Sequence, residues 1–398
     1  MTAANIESEN RPPVNNLSPS QWLKRNLFST WYNYILTVVS LWLVYWVISN
    51  LLTWAFSQAQ WQVLEANWRL FFVGRYPVKA LWRAWLTLGV IVSLGGISWG
   101  IFAQTAAVLF NRRILIILGI VAATCIGVAI PGGIYSSIIL LGMLLLLVIS
   151  AIAGKQLGRS LPSLASWLPL IWLLAFSFNI WLLLNGSNVK LDRISGLMLT
   201  IPIALVSIVL CFPFGVLLAL GRQSKLPVIR WLSIAYIELV RGFPLITILF
   251  MAQVMLPLVL PADVRPDRVV RAIAGFTIYS AAYLAENVRG GLQSIPPGQT
   301  EAAQALGLNR IYTLGFIILP QALRTVIPSM VGQFIALFKD TSLLAIVGLT
   351  DLLGISQSII ANPKYLGRYG EVYLFIAVIY FICCYAMSLA SKQLETKH

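Results

Sequence analysis

Histidine is almost missing from this 398-residue chain: one occurs, and it is the last residue, His398. Histidine general-base catalysis, histidine phosphorelay and histidine metal sites are thereby removed from the candidate chemistry, and no metal site is expected. Charge is also scarce, at 10% Asp, Glu, Lys and Arg, against about 25% in an average soluble domain. Acidic residues are the rarer sign, 13 against 28 Lys and Arg, for a net charge of +15. In a soluble protein that excess points to nucleic acid. Here 59% of residues are hydrophobic and the mean hydropathy is +0.84, so the chain belongs in lipid. Its basic excess is expected to collect in cytoplasmic loops, with no nucleic-acid partner. The four cysteines, Cys125, Cys211, Cys383 and Cys384, sit in apolar stretches without zinc or disulfide spacing and are expected to pack as small apolar residues. No phosphate-binding loop is present: the nearest candidate, Gly154-Lys155-Gln156, lacks both the preceding glycine and the hydroxyl. The first 26 residues are polar and have no apolar signal core, so no cleaved leader is expected and the first apolar segment must anchor the chain. The tail before Ser18 is expected to be disordered.

What is present is a series of long apolar runs. A hydrocarbon core of about 30 Å needs roughly 20 helical residues. Ten candidate spans result, near residues 32–56, 84–102, 114–130, 134–153, 167–184, 194–220, 244–260, 270–286, 333–352 and 372–391. The expected fold is all-α and polytopic, with about ten transmembrane helices and both termini on one side. With the N-terminus inside, 16 basic residues fall inside and 11 outside, a moderate bias. The main dissent is the loop from Ser57 to Arg83. Its stretch Trp61 to Arg75 has the pattern either of an amphipathic helix lying in the interface or of an ordinary outer loop with aromatic anchors. The chain changes character near residue 190. Earlier spans are rich in Leu, Ile and Trp; later ones contain or border Glu238, Arg241, Glu286, Arg289, Lys339 and Asp340. Ionisable groups at membrane depth mark function or tight packing. The expected division is a tail over 1–30, an added scaffold of about five spans over 31–189, a working core over 190–392 and a tail over 393–398.

The longest hydrophilic stretch of the core, residues 287–326, reads as a short helical hairpin between spans. Pro296, Pro297 and Gly298 break the exit from the preceding span. Thr300 is the expected N-cap, with Glu301 in the first turn where the helix dipole favours an anion. Ala302, Ala303, Gln304, Ala305 and Leu306 favour helix, and Gly307 suits a left-handed C-terminal cap. Asn309 can cap a second helix, which Pro320 is expected to stop or bend.

Glu301, Ala302, Ala303, Gly307, Ile317, Leu319 and Pro320 have the spacing of the EAA motif, and at this point the chain resembles the membrane subunits of bacterial ABC importers. The segments 237–246, 280–295, 298–308, 319–329 and 337–352 narrow the resemblance to the polar amino acid importers of histidine and glutamine type. Phe243 departs from the pattern, where such proteins more often have Thr. The long N-terminal half resembles the general or neutral amino acid subtype. The resemblance implies a five-helix type I ABC importer core and a bacterial inner-membrane location with cytoplasmic termini. It makes residues 301–303, 307, Leu308, 317, 319 and 320 the contact with a cytoplasmic ATPase. It further implies ATP used by that partner and no cofactor on this chain, a periplasmic amino-acid-binding protein, an amino acid substrate and a second related permease, by expectation a heterodimer.

For the permeation path or its gate the candidates are Arg241, Pro244, Tyr279, Glu286, Lys339 and Asp340. Pro244 can open a helix turn and free carbonyls to line a cavity. Glu286 and Arg289 lie three apart on one helix face and can pair. Arg241, Glu286 and Lys339 are expected to form an ion-pair lock at the cytoplasmic edge. Two rivals are weaker. A membrane enzyme would need a nucleophile and base, for which only Lys339 with Ser342 is available. A secondary transporter would be expected to have inverted halves and midplane carboxylates, which the pattern lacks.

Overall fold

In lipid a backbone polar group has no water to bond, so an apolar run crossing the bilayer must satisfy its own N–H and C=O groups as helix. The computed structural model describes residues 18–103, 111–184, 191–261 and 264–395. They are helical with no strand among them, apart from one isolated bridge between Gly196 and Asp351. The expectation for the tail before Ser18, and the last three residues of the C-terminal tail, lie outside the described residues.

Among the described residues, seven helical rods are long and apolar enough to cross a membrane: Trp31–Gln58, Val78–Phe102, Ala129–Ser160, Leu164–Leu184, Leu197–Arg222, Arg310–Ala345 and Tyr369–Leu389. Pro227–Gly242 and Leu245–Val259 qualify together as one broken span, bent by 104°. Two further expected spans differ from these. Ile114–Gly127 is apolar but short. Arg268–Ser294 is rich in Ala, Gly, Ser and Tyr, and other helices enclose much of it. The protein is a multi-pass, all-α membrane protein.

The chain forms two compact units, residues 1–60 and 61–398. In the first, Ser18 and Gln21 cap α1 (Pro19–Asn26) reciprocally through side chain and backbone. Helix α2 (Trp31–Thr53) continues as a π-helical turn to Gln58 and has no buried residue. It is apolar on every side, as a lipid-facing helix is.

The second unit begins with α3 (Gln62–Val73), which settles the two readings of the Ser57–Arg83 loop in favour of a helix. Val63, Asn67 and Phe71, four residues apart, make its buried face. That face docks onto protein: Phe71 and Trp68 pack against Phe375 at ring distances of 4.9 and 5.5 Å. The backbone N–H of Arg75 donates to Ser195 Oγ at 2.8 Å. Helices α4 (Leu81–Phe102), α5 (Arg112–Gly127), α6 (Ala129–Ser160) and α7 (Leu164–Leu184) follow. Gly96 and Gly100 on α4 meet Ser150 and Ala151 on α6, and Gly154 on α6 meets the backbone of Ile97 on α4, small residues that let two backbones touch. Trp172 Nε1 on α7 donates to Ser98 Oγ on α4 at 3.0 Å, and Tyr76 Oη donates to the Leu183 carbonyl at 3.0 Å.

The C-terminal bundle comprises α8 (Leu197–Arg222), the bent pair α9 (Pro227–Gly242) and α10 (Leu245–Val259), α11 (Arg268–Ser294), α13 (Arg310–Ala345) and α15 (Tyr369–Glu395). Short helices α12 (Pro297–Ala305) and α14 (Leu352–Ile360) interrupt it. Helix α11 is central. Its Leu284, Ala285 and Val288 share one core cluster with Cys211 and Ala219 of α8 and Ala322 of α13. Within the expected hydrophilic stretch 287–326, α11 runs on to Ser294 and α13 starts at Arg310, so residues 295–309 lie between the two long helices. Nor does Pro320 stop a helix. A π-helical stretch, Thr313–Ile318, precedes it and widens the coil, so the rod passes a residue that lacks an N–H and would crowd the carbonyl four positions back.

Candidate functional site

Two features meet at the end of the bundle where α8 and α11 finish and α13 begins. The first is α12. Pro297 occupies its first turn, where a missing N–H costs nothing, and Pro296 is the N-cap. Thr300 is therefore inside the helix and is not its cap. At the other end Gly307 has φ +78°, and its N–H donates to the Gln304 carbonyl at 2.9 Å while that of Leu308 reaches the Ala303 carbonyl at 3.1 Å. This paired closure needs a left-handed residue, which glycine supplies without strain. Asn309 accepts from the Tyr312 N–H at 2.9 Å and opens α13, as expected.

The motif residues divide between two faces. Glu301, Ala302, Gly307 and Pro320 are exposed, Leu308 is half-buried and Ala303 is buried against its own chain. Ile317 and Leu319 pack inward on the cluster around Val288 and Leu292. A Cβ added to Gly307 would meet nothing within 4 Å. Around this exposed face Leu306, Ile311 and Phe316 are 81, 78 and 75% exposed, an apolar surface beside the caps.

The second feature is a charge cluster that ties α8, α9 and α11 together. Glu286 of α11 accepts from Arg222 of α8 at 2.7 Å through one oxygen. Its other oxygen takes Arg289 Nη2 at 2.7 Å and Nε at 3.0 Å, and lies 3.7 Å from Arg241 of α9. Arg222 also reaches Glu238 of α9 at 3.0 Å. Three guanidinium groups thus share one half-buried carboxylate. Removing it would leave like charges crowded together at restricted hydration. Arg241 lies over the Tyr283 ring at 5.6 Å, and Tyr283 bonds Tyr279 at 3.2 Å. Pro244 is the N-cap of α10 at the 104° bend.

Of the six gate candidates the structure brings together Arg241, Glu286 and, through the tyrosine pair, Tyr279, with Pro244 at the adjoining bend. Lys339 does not join them. It lies in the last turn of the helix that Arg310 begins, at the opposite end of α13, together with Asp340. Its expected pairing with Glu286 is therefore corrected: Arg222 and Arg289 take that place. Sequence reasoning saw Arg289 but missed Arg222 as a partner. The available signal was its position, the last residue of an apolar span, 16 residues from Glu238.

Residues 211–397 match the family of binding-protein-dependent transport system inner membrane components. Over 100% of its length the chain is 36% identical to the inner membrane amino-acid ABC transporter permease protein YhdY of Escherichia coli strain K12, covering 98% of that protein. The chain belongs to the permease subunits of binding-protein-dependent amino acid ABC importers. The permease is also 35% identical, over 97% of its own length and 95% of the relative's, to the glutamate/glutamine/aspartate/asparagine transport system permease protein BztC of Rhodobacter capsulatus. A shorter relative, the probable glutamine ABC transporter permease protein GlnP of Bacillus subtilis, is 37% identical over 51% of the permease and 91% of itself. A crystal structure of an amino acid ABC transporter with histidines aligns over 51% of the permease and 92% of its own chain, at 28% identity and a TM-score of 0.46. The permease is the membrane subunit of an importer that moves amino acids across the cell membrane at the expense of ATP hydrolysed on another subunit. Secondary transport is not favoured.

Proposed function

We propose that α12 and its two caps form the coupling element through which a cytoplasmic ATPase drives this permease. The observation that carries this reading is the exposed face made by Leu306, Gly307, Ile311 and Phe316: a well-closed hairpin with apolar surface left uncovered. Glu301 adds an exposed acceptor for a partner's Arg or backbone N–H. In this reading the hairpin end is cytoplasmic, as are both termini, and the inward bias of basic residues supports it. The core is 190–392 and the scaffold 31–189, a division supported by the shorter relative that matches about half the chain. The chain itself does no bond chemistry and holds no cofactor, ATP being used by its partner. It receives an amino acid from a periplasmic binding protein and pairs with a second, related permease as a heterodimer. The Arg222–Glu238–Arg241–Glu286–Arg289 cluster is the cytoplasmic gate, released when the ATPase moves α12 relative to α8 and α9.

Gly307→Asp tests the coupling surface cleanly. No atom within 4 Å opposes the new side chain, and Asp tolerates the left-handed region better than most residues. The variant is expected to insert and fold normally but to lose its ATPase on purification. Retention of the ATPase at the level of the unaltered permease would refute the assignment.

A further inference from the structure

Beneath α12 a cavity of about 500 Å³ opens between the α8–α9 turn and the start of α13. Lys225 and Arg310 line it, with Ser224, Thr300 and Thr313, over an apolar floor that includes Leu292 and Ile318. Neither cation has an ion-pair partner among the described residues. Arg310 Nη2 gives one bond, to the Gln223 carbonyl at 3.3 Å, so the rest of its donor fork is uncommitted. Thr313 is 3% exposed, and its Oγ1 lies buried behind the cavity lining rather than open to it.

The lining limits what that occupant is. It contains no Asp or Glu, so nothing there would receive the ammonium of an amino acid or the cationic head of a zwitterionic lipid. It contains no aromatic ring on which a nucleobase could stack. It offers two cations, with Ser224 and Thr300 beside them, for an anion and an apolar floor for a chain. The cavity lies where the apolar span α8 ends, and Leu226 on its wall is 60% exposed, as a residue facing a lipid interface would be. We infer that this cavity binds the phosphate headgroup of an anionic phospholipid, which bridges Lys225 of the α8–α9 turn to Arg310 at the start of α13. The bound lipid fastens the hairpin to the end of the span that carries Arg222. The placement in the cytoplasmic leaflet rests on the orientation proposed above; the chemistry of the cavity does not.

The test uses the full complex with its ATPase subunits, reconstituted in phosphatidylcholine with phosphatidylglycerol and read by native mass spectrometry for retained lipid. The unaltered complex should retain phosphatidylglycerol in preference. Lys225→Gln with Arg310→Gln should lower that preference roughly tenfold or more, since each basic residue near the surface adds appreciably to anionic lipid binding. Arg159→Gln, which removes a cation outside the cavity, should not. Thermal stability of the double variant equal to that of the unaltered complex separates loss of the site from misfolding. Normal co-purification of the ATPase with the double variant would keep this question apart from the coupling assignment. Equal phosphatidylglycerol retention by the unaltered and double-variant complexes would overturn the inference. So would displacement of the lipid by inorganic phosphate alone, which would make the site one for a free anion. A carbodiimide cross-link from Lys225 to an ATPase carboxylate, formed equally with and without phosphatidylglycerol, would assign the cavity to the partner protein.

Discussion

Helices α4–α7 and helices α8–α15 lie in the same compact unit, and both sets pack through small residues, but among the described residues only the second adds a five-residue ion-pair cluster. In the first set, Gly96 and Gly100 lie against Ser150 and Ala151, and Gly154 against the Ile97 backbone, so α4 and α6 meet backbone to backbone; in the second, Gly291 of α11 lies against the Ala322 carbonyl of α13. In the second, α8, α9 and α11 are joined near one end by Arg222, Glu238, Arg241, Glu286 and Arg289. Close packing of small residues has one good geometry and resists movement. An ion-pair cluster can dissolve and re-form as water and partners change. The charge cluster, which distinguishes the second set, is where the proposed gate movement is placed. Helix α3 links the two sets, with Phe71 buried against the C-terminal helices and Arg75 bonded to Ser195.

The largest effect should come from Glu286. Replacing it by Lys puts a fourth cation among three, and uptake should fall at least tenfold, the kinetic equivalent of about 1.4 kcal/mol. Adding Arg222→Glu restores an opposite-charge pair across the 2.7 Å contact and should recover part of the uptake. No recovery would mean that the cluster is not a lock. Next in size is Gly154→Leu, whose side chain would strike the backbone of Ile97. Overpacking there should cost about 1–3 kcal/mol in thermal stability while the ATPase still co-purifies. If uptake falls and stability does not, the first set is part of the moving machine and the contrast fails. The smallest effect should be that of Glu238→Gln, because that side chain is 55% exposed. The change should be below about 0.5 kcal/mol, with transport near normal.

The parts of this arrangement that were legible in the sequence are those set by local chemistry. Gly307 could be read as a left-handed cap because only its neighbours along the chain decide it, and the Glu286–Arg289 pair follows from helical spacing. Pro320 was misleading for a local reason that sequence spacing hides: a π-helical stretch before it absorbs the missing bond. Lys339 was misleading for a global one. Its charge marks a membrane-depth position but does not say at which end of a long helix it sits. The docking of Phe71 on Phe375 joins residues 304 positions apart, and nothing in the pattern of α3 names that partner. An amphipathic face tells that something covers it; the fold decides whether that is lipid or protein.

In the function proposed above, energy enters this permease through α12. The direct measurement is uptake of a labelled amino acid mixture into proteoliposomes containing the full complex and saturated binding protein, with ATP supplied on the ATPase side or with a proton gradient alone. Uptake is expected with ATP, none with the gradient alone, and none with ATP when the permease carries Gly307→Asp. Uptake driven by the gradient without ATP, or undiminished uptake by the Gly307→Asp complex, would rule out energy entry through α12.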